Sequence, residues 1–84
     1  MKNSKVVVLH RPLSVIADEI SKDWKTMPEY ARAHFRAFQF AFDIREMYGC
    51  DSVKWEVAYF LGNAQIWKGD TARRIKKELN AMIK

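Results

Sequence analysis

From Leu13 onward, apolar residues recur at steps of three and four: Leu13, Ile16, Ala17, Ile20, Trp24 and Met27. That spacing is one stripe of an amphipathic helix. Asp18, Glu19, Lys22 and Asp23 fall on its polar side, with Asp18 and Lys22 one turn apart. Pro12 suits the first helical turn, where a missing N–H costs nothing, and Pro28 disfavours helical geometry at Met27, so the helix ends or bends there. A second helix is expected from Pro28 to just before Gly49, which sits where a left-handed C-terminal residue is wanted. Its apolar residues form two rows, one of Tyr30, Ala33, Ala37, Phe40, Ile44 and Met47, the other of Ala31, Phe35, Phe38 and Phe42. A helix apolar around most of its circumference has to be covered on several sides, which makes it the nearly buried central helix of the fold.

Asp51 or Ser52 can cap a third helix running through Val53, Trp55, Val57, Ala58, Tyr59, Phe60 and Leu61, which Gly62-Asn63 ends. Residues 63–69 then form a link anchored by Ile66 and Trp67. Gly69-Asp70 starts the last helix, with Asp70 accepting from its first free N–H groups and Ala72, Ile75, Leu79, Met82 and Ile83 as the buried row. The reading is all-α: a compact bundle of about four helices in a single helical domain over 12–84, preceded by a short, basic, extended arm over 1–11. The Val6 to Leu9 run has strand character, but no partner strand is visible.

Composition narrows this only slightly. The chain has 84 residues, 49% hydrophobic and 30% charged, which is a globular balance for one domain. Three Gly and two Pro are too few for a barrel or sandwich built on tight turns. The lone Cys50 has no internal disulfide partner, which fits a reducing cytoplasm. No apolar run approaches the roughly 20 residues that span a bilayer, so no membrane role is expected.

Charge changes the picture more. The net charge is +5, and both ends are basic around a mildly acidic middle: residues 1–11 carry Lys2, Lys5 and Arg11 with no acid, while residues 68–84 carry six basic side chains against Asp70 and Glu78. Such asymmetry suits a polyanionic partner, although a surface kept soluble by Lys and Arg has the same signature. On the last helix Arg73, Lys77, Asn80 and Lys84 line up opposite the apolar row, Lys76 flanks them, and Arg74 can pair with Glu78 one turn on. Arg73 and Arg74 sit in the first turn, where the helix dipole disfavours cations. Arg73, Arg74, Lys76, Lys77 and Lys84 are therefore the candidate nucleic-acid contacts.

Catalytic chemistry is not evident. His10 and His34 lie in no recognisable motif, and one Cys with two distant His cannot complete a zinc site. Gly49, Gly62 and Gly69 match no phosphate loop. A non-enzymatic chain without metal or cofactor is expected.

The carboxyl half, Tyr59-Phe60-Leu61-Gly62-Asn63-Ala64 followed by Trp67, Gly69-Asp70, Ala72-Arg73 and Ile75-Lys76-x-Glu78-Leu79, resembles a group of small, largely uncharacterised bacteriophage proteins. Pro12-Leu13-Ser14 to Asp23-Trp24-Lys25 is similar too, so the resemblance covers about half of the chain. It implies a phage or prophage setting and brings no activity or catalytic residues. Two function classes follow. One is a nucleic-acid-binding module using the basic last helix. The other is an accessory factor that binds and modulates a host or phage protein complex, with Arg32, Arg36 and Gln39 as the possible interface.

Overall fold

The computed structural model describes residues 10–84. It contains four helices, α1 (Leu13–Asp23), α2 (Glu29–Phe38), α3 (Val53–Gly62) and α4 (Asp70–Ile83), and a short antiparallel hairpin of β1 (Met47–Tyr48) and β2 (Asp51–Ser52) between α2 and α3. The fold is mostly helical, as the apolar spacing predicts. Of the expected arm, residues 1–9, with Lys2, Lys5 and the Val6 to Leu9 run, lie outside the described residues.

α3 packs against both α2 and α4, and α1 closes the bundle against α4 and α2. The centre is Phe60 on α3, fully buried. Its ring centroid lies 5.3 Å from that of Phe38, 6.1 Å from those of Phe35 and Trp24, and 6.5 Å from that of Trp67. Trp24 and Trp67 stack on one another, 5.5 Å apart and nearly parallel. Edge-to-face and offset arrangements of this kind add to area burial because the ring quadrupoles complement each other. Leu13, Ile16 and Ile20 from α1 and Ile75 and Leu79 from α4 complete the core. Trp24 and Met27 are buried as their spacing predicts, but they lie past the end of α1.

The second helix is the main correction. It stops at Phe38 rather than running to Gly49, and it is not the nearly buried centre: Tyr30 and Ala33 of its expected apolar rows are exposed, and Phe40, Phe42 and Met47 beyond it are exposed too. The reason is hydrogen bonding at a distance. Pro12 gives α1 no side-chain cap, so its first amides need acceptors. The Leu13 N–H donates to the Phe42 carbonyl (3.1 Å) and the Ser14 N–H to the Ala41 carbonyl (2.8 Å). A helix through 41 and 42 would have used those carbonyls itself. Local bonds hold the departure: Asp43 Oδ1 accepts from the Arg45 N–H (2.7 Å), and Glu46 Oε2 accepts from the Phe42 and Asp43 N–H groups (2.9 and 2.8 Å).

Gly49 has the left-handed conformation its position suggested, φ +63°, but in the two-residue turn of the hairpin. Gly at the first central position of such a turn matches the right-handed twist of the strands. Ser52 caps α3 as expected, its Oγ accepting from the Lys54 N–H (3.1 Å). Two smaller expectations fail. Asp70 makes no capping bond to α4, pairing with Arg73 instead, and Ile66 is exposed, leaving Trp67 as the anchor of the link.

Truncating a buried Phe costs about 3–5 kcal/mol, whereas surface changes stay within about 0.5 kcal/mol. Phe60→Ala should therefore move the urea midpoint sharply and Ile66→Ala hardly at all. Chemical denaturation of both variants against the parent checks the placement.

Candidate functional site

α4 turns its apolar row, Ala72, Ile75, Leu79 and Met82, into the core, which fixes where its cations point. Arg73, Lys77 and Lys84 are exposed on the outer side. Arg73 pairs with Asp70 in the same turn, a contact exposed on both sides. Lys77 and Lys84 make no hydrogen bond or ion pair among the described residues. Lys68, exposed in the link before α4, adds a cation that the sequence reading counted in the basic block but left out of the stripe. Its field reaches Lys76, where it assists burial in lowering the ammonium pKa.

The other two candidates on α4 serve the fold. Lys76 donates to the Trp67 carbonyl (2.7 Å), with its ammonium 5.9 Å from the Trp67 ring centroid. It fixes the link rather than facing outward. Arg74 does not meet Glu78. It crosses to Glu19 on α1, with Nη1 3.4 Å from Oε1 and Nη2 closer to Oε2. Glu78 is taken by Arg11, whose Nε and Nη2 fork onto its two carboxylate oxygens at 2.8 and 2.7 Å while Nη2 also reaches Glu19 (3.0 Å). Arg11 thus belongs to an internal network, not to a free basic arm. Planar guanidinium groups suit such bidentate bridging.

This network decides the local electrostatics. Arg11 and Arg74 occupy the Glu19 and Glu78 carboxylates on the α1 side of α4. On the outer side only Asp70 stands against Lys68, Arg73, Lys77 and Lys84. Arg74, and secondarily Arg11, hold the Glu19 carboxyl below its ordinary value against the opposing effect of burial.

The alternative strip is less available than its sequence suggests. Arg32 is half-buried and donates to the Met27 carbonyl (3.3 Å), Arg36 forks onto Glu29 (2.7 and 3.2 Å), and Gln39 is half-buried at the end of α2. What the α2–α3 side does expose is aromatic: Tyr30, Trp55 and Tyr59 are each more than half exposed. His34 on α2 joins buried Glu56 on α3, Nδ1 to Oε1 2.8 Å, so it is a packing contact between helices. A groove of about 430 Å³ lies between the 42–45 loop and the Leu13 and Met82 ends of α1 and α4, with His10 at its edge. At its mouth Arg45 forks onto Asp43 and holds that carboxyl down at about 2. Among the described residues no group of three His, Cys, Asp or Glu side chains is placed to hold a metal ion, and no helix is long and apolar enough to cross a membrane. Comparison with protein families, with characterised proteins and with solved structures finds no match for the chain.

The network carries a pH signature. A carboxyl whose pKa is lower in the folded than in the unfolded state stabilises the fold above the unfolded value, and that stabilisation is lost as pH falls through the folded value. Glu19, with an ordinary value of 4.5, should contribute a constant amount near neutrality and less below about pH 4.5. Arg74→Met should make the urea midpoint fall less steeply over that acid range than it does in the parent.

Proposed function

We propose that this chain is a small, non-enzymatic binding protein of phage type that contacts nucleic acid electrostatically through the outer face of α4. The observation that supports the reading is the excess of positive charge there: Lys68, Arg73, Lys77 and Lys84 are exposed against Asp70 alone, while the acids on the α1 side of the helix are engaged by Arg11 and Arg74. Phosphate groups are the abundant polyanion such a face would attract, and each Lys or Arg that neutralises one releases a counterion. Arg74 and Lys76 leave the contact set because their charges are used within the fold. The stripe is dominated by cations that suit phosphate contacts, which position a protein on nucleic acid without reading its sequence.

A second reading, an accessory factor docking on a host or phage protein complex, is favoured by one observation. Tyr30, Trp55 and Tyr59 expose aromatic surface on the α2–α3 side, and Tyr and Trp are enriched at interface hot spots. In that reading these side chains replace Arg32, Arg36 and Gln39 as the contact.

Titration with labelled single- and double-stranded oligonucleotides at several salt concentrations separates the two. Each lost phosphate contact reduces the slope of log affinity against log salt by roughly 0.7–0.9. The Arg73→Ala, Lys77→Ala variant should keep its helicity and lose about two such increments, whereas Trp55→Ala should leave the slope unchanged. A folded parent without salt-sensitive binding removes the nucleic-acid reading.

A further inference from the structure

The loop that leaves α2 carries the most exposed large apolar side chain among the described residues. Phe40 is 86% exposed, so a full phenyl ring stands out from the surface. On either side of it lies a shallow groove. One, about 190 Å³, is bounded by Ala17, Phe35 and Gln39; the other, about 180 Å³, by Ala37, Ala41, Met47, Tyr48 and Val53. Each is on the scale of a cavity of about 150 Å³ that holds a benzene-sized guest. A protruding ring and recesses of matching size therefore share one face.

The charges at the second groove are of both signs. Arg36 lines it from α2 and Glu46 from the loop. Arg36 is half-exposed and held only by exposed Glu29, while Glu46 Oε1 has no hydrogen-bond partner among the described residues. A two-fold axis brings a residue i against j and j against i. It can therefore set Arg36 of one copy opposite Glu46 of the other, twice, without opposing like charges. The chain as a whole carries +5, whereas Arg36 and Glu46 at this groove balance one another.

We propose that this chain self-associates as a two-fold dimer through the Phe40 face, the ring of each copy entering the Ala37–Tyr48 groove of the other and Arg36 pairing with Glu46 across the axis. The inference goes beyond the nucleic-acid reading and does not rest on it, because it concerns a different face and is measured without nucleic acid.

Sedimentation equilibrium of the full chain, in reducing buffer so that exposed Cys50 cannot cross-link, tests it. The weight-average mass should rise from 9.9 kDa toward twice that value between micromolar and millimolar loading. Phe40→Asp should retain parental helicity and stay at the monomer mass throughout. Arg36→Glu and Glu46→Arg should each be monomeric alone, and their equimolar mixture should recover a one-to-one dimer, because both contacts then pair opposite charges. A parent that is monomeric at every concentration overturns the proposal, as does a dimer that survives Phe40→Asp. Two folded single variants that fail to recover a dimer on mixing overturn the two-fold pairing. If Glu46→Arg disrupts the loop it caps, the Phe40→Asp comparison decides alone.

Discussion

Phe60 sets the architecture because four rings from three separate segments reach it. Phe35 and Phe38 come from α2, Trp24 from the end of α1, and Trp67 from the link before α4. These rings also touch one another, Trp24 on Trp67 and Phe35 on Phe38, so the helices meet where the rings do. In so small a chain buried area is scarce, and aromatic side chains supply the most of it per residue. The Trp24–Trp67 stack also closes the bundle at the level of the chain ends of α1 and α3. Trp67 Nε1 donates to Asp23 Oδ2 (2.8 Å), which satisfies the indole N–H of a buried ring. Lys76 then seals the Trp67 carbonyl, so a cation of α4 is consumed in fixing the link.

The same economy governs the arginines. Arg11 and Arg74 bridge α4 to α1 through Glu19 and Glu78, in partly exposed sites where a single pair contributes little but a shared carboxylate couples three residues. Their larger effect is on where charge lies around α4. By drawing both acids to one flank of α4, they leave the opposite flank with a net positive field that only Asp70 opposes.

Much of the fold was legible from apolar spacing, because α1, α3 and α4 each bury one stripe. Ser52 and Gly62-Asn63 bound α3, and the buried row of α4 is the one its periodicity names. Residues 39–48 were not legible. Their spacing continues the helical pattern of α2, and nothing local announces that Ala41 and Phe42 must lend their carbonyls to α1. Gly49 gave the correct backbone conformation and the wrong element, since a positive φ serves a helix end and a hairpin turn alike. The stripe of Arg73, Lys77 and Lys84 was readable because helical periodicity places it. The diversion of Arg74 to Glu19 was not, because that partner lies 55 positions away and an i, i+4 carboxylate offered itself nearer.

The break in α2 links these observations to the exposed surface. Pro12 begins α1 without a side-chain cap, so the first two amides of that helix must be satisfied from elsewhere or remain buried and unpaired, at a cost of about 1–3 kcal/mol for each group. Supplying two carbonyls from 41 and 42 requires the backbone to leave α2 after Phe38. Once it does, the side chains alternate: Ala41 turns inward and is buried, while Phe40 and Phe42 turn outward. Two phenyl rings are thus presented to the surroundings as the consequence of a capping requirement 27 or more positions earlier in the chain. Whatever Phe40 and Phe42 meet in solution, their exposure is set by backbone hydrogen bonding and not by a shortage of core to bury them in.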